Sequence, residues 1–259
     1  MIRLFRFLIP VAALAMTAGT AGAALAASAP SGLLWEGLAA TKGTSVFVGL
    51  EEAPGTIGVV KVPTYGDVYQ YQTHANANGT KSRAESRGTT GLTFNNAALG
   101  KTYYVGWRAK WNVNITPGAW TSFFQFHNDG ASGLSQDMTI KTLGNGKLSL
   151  QQTGADPSAP NGLIWNVPFT NNEWHTFVVA FNYERNDTGW VELWYDGVQQ
   201  KFINGSTLYH GLLLQAAAPL SYLKWGVYRS GANTASGPQT EWVADPRVGT
   251  TYASVAPAA

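Results

Sequence analysis

Hydrophobic and polar residues alternate with a period of two along most of the chain between residues 30 and 250. Such alternation predicts half-buried β-strands, because successive side chains of a strand point to opposite faces. Only the segment 211–217 suggests a helix. Strands are predicted at 45–50, 102–111, 120–127, 147–152, 175–183, 190–195 and 222–228.

Turn signals separate these segments. Asn-Gly pairs recur along the chain, and Asp196-Gly197 between two alternating runs predicts a two-residue hairpin. No linker, repeat or low-complexity tract interrupts the pattern. We therefore predict an all-β fold: a single antiparallel β-sandwich of the jelly-roll type over residues 28–259, with one concave sheet face that can bind a ligand.

The N-terminus has the pattern of a secretory signal peptide. Arg3 and Arg6 precede an apolar stretch at 7–16, and small residues lead to the cleavage pattern at 24–26. A membrane anchor is disfavoured, since the apolar run is shorter than the roughly 20 residues of a spanning helix. We predict a bacterial-type signal peptide at 1–27 and a secreted, extracellular protein.

The amino-acid composition excludes several classes of function. The 259 residues include no Cys, which excludes a disulfide framework, a zinc ribbon and thiol catalysis. The formal charge is +2, and loss of the two N-terminal arginines would bring it to about zero, so nucleic acid is not an expected partner. The chain has ten Trp. At least half are expected in the core, and the rest suit sugar rings.

Three short motifs could carry chemistry. In a strand, Lys81, Arg83 and Glu85 share one face. An Arg next to a Glu is most often a structural ion pair, but it can also be an Arg held rigid to bind a substrate carboxylate. Gln125 and His127 likewise share a face, opposite neighbouring phenylalanines that are expected in the core.

The third motif is the most specific. Tyr222, Lys224, Gly226 and Tyr228 share one face of a predicted strand, and the glycine leaves room for a close approach. Two phenols and an ammonium group around a gap are an unusual core. Arg229 follows with the opposite parity.

Together, these motifs resemble those of the jelly-roll polysaccharide lyases, the alginate, glucuronan and heparin lyase types with a concanavalin A-like fold. The family's Arg-x-Glu, Gln-x-His and Tyr-x-Lys-x-Gly-x-Tyr strands correspond to 83–85, 125–127 and 222–228, in the family's order. The resemblance spans about 45–245. One departure is Ser86, where alginate lyases usually have Leu.

The resemblance implies β-elimination at a uronic acid, with no required cofactor. Tyr228 is the expected proton-transfer residue, and Arg83, Gln125 and His127 are expected to neutralise the substrate carboxylate. A phenol with an ordinary pKa of about 10 serves as a base only beside cations. The residues expected to bind substrate are Lys224, Tyr222, Glu85, His74, Lys81 and Arg229.

The polymer is left open by the motifs. In β-glucuronate and mannuronate the C-5 hydrogen and the C-4 oxygen lie on the same face, so one Tyr can be base and acid. Guluronate and iduronate need a base on the other face, for which His127 is a candidate. His74 is another, because glucuronan lyases place a His near that position. The missing Leu and the presence of His74 favour β-glucuronan, with alginate as the alternative.

Two other functions compete with a lyase. A glycoside hydrolase on this fold needs paired carboxylates, but Glu184, Glu192 and Asp196 form no such run. A non-catalytic, lectin-like carbohydrate-binding module remains open, since fold alone does not decide function. A structural calcium ion is possible through Asp129, Asp187 or Asp245, although no calcium loop is visible. A monomer is expected.

Overall fold

Two antiparallel β-sheets pack face to face in the computed structural model, which describes residues 30–75, 79–129, 136–152, 162–211, 213 and 218–258. Two four-residue helices accompany them, α1 (Ala39–Lys42) and α2 (Tyr252–Val255). The strands are β1 (Leu33–Glu36), β2 (Phe47–Ala53), β3 (Gly55–Val62), β4 (Gly66–Thr73), β5 (Ser82–Thr89), β6 (Phe94–Asn95), β7 (Thr102–Asn112), β8 (Thr121–Asn128), β9 (Gln136–Thr142), β10 (Lys147–Gln152), β11 (Leu163–Pro168), β12 (Trp174–Asn182), β13 (Trp190–Tyr195), β14 (Val198–Gln199), β15 (Tyr209–His210), β16 (Leu220–Arg229) and β17 (Gln239–Gly249).

The two sheets are built from separate sets of strands. The cleft sheet has the order β11-β10-β9-β8-β16-β5-β2, with β6 paired to β16. The back sheet has the order β14-β13-β12-β7-β17-β4-β3, with β1 and β15 added at its sides. Some neighbours in each sheet are distant in sequence, such as β8 and β16 or β7 and β17, as in a jelly roll. The predicted single β-sandwich is therefore confirmed.

Aromatic side chains fill the space between the sheets. Trp107 of the back sheet stacks on Phe124 of the cleft sheet at 4.5 Å and on Phe177 at 5.0 Å between ring centroids. Five of the ten tryptophans are buried in the described residues, as the composition predicted: Trp35, Trp107, Trp111, Trp165 and Trp225.

Most predicted strands are present, with shifted ends. The Asp196-Gly197 hairpin is confirmed, because both residues have positive φ, 49° and 75°, as a two-residue turn requires. The first predicted strand is displaced, since residues 43–46 form a 3-10 turn before β2. Strands β3, β4, β9, β11 and β17 were not predicted.

Two sequence predictions fall largely outside the described residues: the signal peptide at 1–27 and most of the suggested helix at 211–217. Neither α1 nor α2, nor any other helix in the described ranges, is long and apolar enough to cross a membrane.

We predict that Trp107→Ala lowers the free energy of unfolding by about 3–5 kcal/mol, because it leaves a cavity between the stacked rings. Urea denaturation monitored by circular dichroism measures the change. The control is Trp190→Ala, which removes a half-buried indole at the start of β13. Equal losses for the two variants would contradict this account of the core.

Candidate active site

The three motifs lie on adjacent strands of the cleft sheet. Strand β16 is central, with β8 on one side and β5 on the other. The predicted site residues are thereby placed directly opposite one another. The pairs are Tyr222 with His127, Lys224 with Gln125, Gly226 with Glu85, and Tyr228 with Arg83.

A β-bulge interrupts β16 within the third motif. The register with β8 shifts by one residue between Trp225 and Tyr228. Gly226 lies in the bulge with φ 126°, and a Cβ atom there would be 2.1 Å from the Ala84 carbonyl oxygen. Glycine is therefore required where the chain turns Tyr228 towards the cleft.

Ser86 supports this bulge from inside the sandwich. Its hydroxyl is fully buried, accepts a hydrogen bond from Tyr71 at 3.0 Å and donates to the Trp225 carbonyl at 3.3 Å. The position that departs from the alginate-lyase pattern thus faces the core. It bears on the shape of β16 and makes no direct contact with the cleft.

A buried ion cluster forms the floor of the cleft. Lys224 Nζ lies 2.8 Å from a Glu51 oxygen and 2.9 Å from a Glu85 oxygen. The Lys224 and Glu85 side chains are 2% and 1% exposed. Gln125 is also buried and donates from Nε2 to the other oxygen of Glu85. Lys224, Glu85 and Gln125 therefore hold one another beneath the surface.

Arg83 rises from this floor to the cleft. Its Nη1 lies 2.6 Å from Glu51 and 4.0 Å from Glu85, and its side chain is 33% exposed. Burial alone would lower the pKa of Arg83, but the Glu51 hydrogen bond and nearby negative charges raise it above its ordinary value. Arg83 is thus a fixed cation that remains open to a ligand carboxylate.

The two carboxyl groups of the cluster differ in their environments. Burial raises the pKa of Glu85, and Lys224 and Arg83 oppose that rise. Burial also acts on Glu51, but hydrogen bonds from Lys224 and Arg83 hold its pKa below the ordinary value. Glu51 therefore stays ionised and binds both Lys224 and Arg83.

Tyr228 lies among aromatic and cationic groups. It is 8% exposed, and the guanidinium carbon of Arg83 lies 4.3 Å from the centre of its ring. Trp120 packs edge-on against it at 5.1 Å. The exposed Lys81 has its Nζ 5.8 Å from both rings.

His127 is uncharged at neutral pH. Burial, followed by the charge of Lys224, lowers the pKa of His127 to about 4. Its Nδ1 lies 2.7 Å from the Asn128 carbonyl oxygen, which can only accept, so Nδ1 carries the proton. Nε2 of the neutral ring therefore has a lone pair, the requirement for a general base.

Tyr222 continues the row beyond His127. The two rings stack at 5.0 Å, and Arg87 lies over the other face of Tyr222 at 4.7 Å. Arg87 also lies 3.7 Å from Asp129. Burial raises the pKa of Tyr222, so its phenol remains a hydrogen-bond donor. Tyr222, Arg87 and Asp129 border a cavity of about 210 Å³ whose other walls include Val48, Leu92 and Leu220.

Two predicted site residues lie apart from this row. Arg229 is 1% exposed, on the opposite parity, and donates to the backbone carbonyls of Asn233 and Ala235. His74 is exposed just after β4 of the back sheet, and its carbonyl accepts from Thr73. No hydrogen bond or ion pair joins the His74 ring to the row within the described part of the chain.

Sequence reasoning missed Glu51 and Trp120. Glu51 lies on edge strand β2, where it pairs with Glu85 of β5. No short motif marks it, because its role arises from a pairing between separate segments. Trp120 immediately precedes β8 and has the parity of the core-facing Phe124, so strict alternation would have placed it in the core. A register shift between Ser122 and Phe124 changes that parity, and no sequence signal marked the shift.

Metal binding has no visible basis in the described residues. No three His, Cys, Asp or Glu side chains lie close enough to hold an ion there. Of the carboxylates considered for calcium, Asp129 pairs with Arg87 and Asp245 with Arg108.

A family model assigns the chain to a class of polysaccharide-degrading enzymes. The polysaccharide lyase model matches residues 35–245. The chain therefore belongs to the polysaccharide lyase family, whose substrates are acidic polysaccharides. The comparison with curated proteins finds no match.

Solved structures share this fold at low sequence identity. An endo-β-1,4-glucuronan lyase from Trichoderma reesei superposes with a TM-score of 0.64 and 15% identity, over 81% of this chain and 93% of the other. The PL7 alginate lyase of Zobellia galactanivorans gives 0.53 and 13%, over 76% and 81%. The PL-14 alginate lyase of Aplysia kurodai gives 0.53 and 12%, over 85% and 99%.

We predict that Glu51→Gln reduces kcat/KM by about 100-fold, because loss of the carboxylate charge frees Arg83 and Lys224 from their fixed positions. Glu52→Gln is the matched control on the same strand, since Glu52 accepts from the Ile57 amide and touches neither cation. Lyase assays and thermal melts on both variants test this. Equal activity of the two variants would exclude Glu51 from the site.

We also predict that His127 titrates near pH 4 in the folded protein, against about 6.5 for an unfolded chain. Between these values the unfolded state binds the proton first, so stability falls as the pH decreases through this window. NMR titration of the His127 ring measures the pKa directly, with His127→Asn assigning the signal. A midpoint at 6 or above would refute the neutral-histidine assignment.

Proposed function

We propose that the protein cleaves β-linked glucuronan by β-elimination, with Tyr228 as the proton-transfer residue. The base removes the C-5 proton, and the electron pair forms a C-4–C-5 double bond as the C-4–oxygen bond breaks. The leaving oxygen then takes up a proton, which Tyr228 can return when both groups lie on one face of the sugar. No redox partner is needed.

The pairing of Tyr228 with Arg83 carries this proposal. A uronate carboxylate bound to Arg83 brings its neighbouring C-5 close to the phenol, since the two residues are directly opposite in the sheet. The cation neutralises the carboxylate, which otherwise resists loss of the C-5 proton. The same cation, 4.3 Å from the ring, stabilises negative charge on the phenolic oxygen during proton transfer.

The similarity to the Trichoderma reesei endo-β-1,4-glucuronan lyase supports the choice of glucuronan. Ser86 contributes nothing to the choice, because it faces the core. His127 borders the bound carboxylate in this arrangement, and the buried Gln125 lies beneath it and holds Glu85. Tyr222 and Lys81 contact sugars on either side.

A second candidate substrate is alginate that contains guluronate. His127 favours it, because a neutral ring with a free Nε2 provides a base on a different strand from Tyr228. In that reaction His127 removes the C-5 proton and Tyr228 protonates the leaving oxygen. Similar alginate lyase structures are consistent with this alternative.

Export from the cell is the remaining part of the proposal. The positive and apolar pattern at 1–27 supports a signal peptide. Polysaccharide chains are too large to enter cells intact, so a depolymerase acts where its substrate lies. Mass spectrometry of protein from the culture medium tests the expected mature N-terminus near residue 28.

The direct test is ultraviolet absorbance of the unsaturated product. Mature protein is incubated with glucuronan, polymannuronate, polyguluronate, heparin and hyaluronan, and with neutral β-glucan as the control. We expect absorbance to rise on glucuronan. Tyr228→Phe should reduce the rate about 10²–10⁴-fold, because the proton-transfer group is lost while the ring packing remains.

The control variant is Tyr104→Phe, a half-buried phenol of the back sheet that should keep full activity. A rise on polyguluronate alone, abolished by His127→Asn, would replace glucuronan with the second candidate. Reducing sugar released from β-glucan with no absorbance change on any polyuronate would overturn elimination. Binding of a polyuronate without cleavage would indicate the lectin-like alternative.

A further inference from the structure

A row of aromatic and polar side chains crosses the outer face of the back sheet. Trp174 pairs with Lys110, and Lys110 pairs in turn with Trp242. The row continues through Gln70 to Gly58. At a strand spacing of about 4.8 Å, this Trp–Lys row is about 19 Å long.

Lys110 lies between the two indoles. Its Nζ is 5.3 Å from the ring centroid of Trp174 and 4.5 Å from that of Trp242. All three side chains are half-buried. No carboxylate lies within 4.0 Å of Lys110 among the residues that the structure describes, so its charge is held by aromatic rings and not by an ion pair.

Polar groups flank the row on one side. Asn112, Thr240 and Gln72 form the next line across the same strands. Gln72 donates to the Thr240 hydroxyl at 3.2 Å, and Asn112 is exposed. At the end of the row the surface is open, since a Cβ atom added to Gly58 would meet nothing within 4 Å.

Larger side chains and the C-terminal segment border the opposite side of the row. Tyr65 stands edge-on to Trp174 at 4.9 Å, and Arg108 lies over the Tyr65 ring at 4.7 Å. Arg108 also donates to the Ala258 carbonyl, so the C-terminal segment crosses the sheet there. Tyr65, Arg108 and the C-terminal segment therefore form a raised edge along this side of the row.

We propose that the Trp–Lys row is a second, non-catalytic binding site for acidic polysaccharide. Indole faces pack against the C–H faces of sugar rings, amide and hydroxyl groups bind sugar hydroxyls, and a lone ammonium group selects a carboxylate. A core role does not explain the row, because these side chains lie on the outer surface. The polymer class rests on the proposed function.

This site and the cleft lie on opposite sheets. Facing sheets are about 10 Å apart and each carries outward side chains, so a short oligosaccharide cannot touch both sites at once. A long polymer can bind at both, which raises its effective concentration at the cleft. The row should therefore matter for polymers and not for short oligomers.

The test uses affinity electrophoresis through gels that contain glucuronan, alginate or neutral β-glucan. Lys110→Ala and Trp242→Ala should each weaken retardation by an acidic polymer about fivefold. Trp194→Ala is the matched control. It removes an indole from the same outer face, but this indole packs on Tyr252 of α2 and lies outside the row. Thermal melts verify that each variant is folded.

Kinetics separate this site from the cleft. We expect kcat/KM on the polymer to fall about fivefold in Lys110→Ala, with values on a trimeric or tetrameric uronate unchanged within about twofold. Unchanged retardation and kinetics in both variants would overturn the proposal. The proposal would also be overturned if the protein bound β-glucan and acidic polymers equally and Lys110→Ala did not weaken that binding.

Failure of the proposed function gives a different result. If no polyuronate is cleaved but acidic polymers still retard the protein in a Lys110-dependent manner, the second site stands and the elimination chemistry falls. If a polyuronate is cleaved but retardation does not depend on Lys110, the elimination chemistry stands and the second site falls. Tyr228→Phe allows retardation to be measured without degradation of the gel polymer.

Discussion

The cleft depends on one buried cation shared by two carboxylates. Lys224 is bound by Glu51 and Glu85, which belong to strands on the same side of β16. Removing charges from water is costly, and a buried pair is stabilising only when every partner is present. A one-residue slip of β5 against β16, or of β2 against β5, would leave a charge unpaired. The cluster therefore fixes the register that places Arg83 opposite Tyr228.

The same strand is also fixed from the inner side. Trp111 donates to Glu241 at 3.1 Å, and the Gly226 backbone N–H is hydrogen-bonded to this carboxyl. Burial raises the pKa of Glu241 well above its ordinary value, and the hydrogen bonds from Trp111 and Gly226 oppose that rise. Ser86 also donates to the Trp225 carbonyl from below. Polar groups of the core therefore bind the backbone of the bulge, where the regular hydrogen bonds between strands are interrupted.

Alternation along the sequence predicted much of the site. It placed Phe124 in the core and the Tyr228 motif on one face, because both properties depend on a period of two within a single strand. It could not reveal Glu51, whose role depends on pairing between distant strands. Strand β17 was missed for a local reason: Pro246 within it argues against a strand, yet it lies where the register shifts at a bulge.

The low net charge of the chain limits how either sheet can bind an acidic polymer. With nearly balanced charges, the protein has little long-range attraction for a polyanion, and salt screens exposed charges beyond about 8–10 Å. Binding must therefore come from cations placed in direct contact with the polymer. Arg83 in the cleft is held by carboxylates, whereas Lys110 on the back sheet is held by indoles. The first arrangement fixes a cation for chemistry, and the second leaves a cation free to bind a carboxylate.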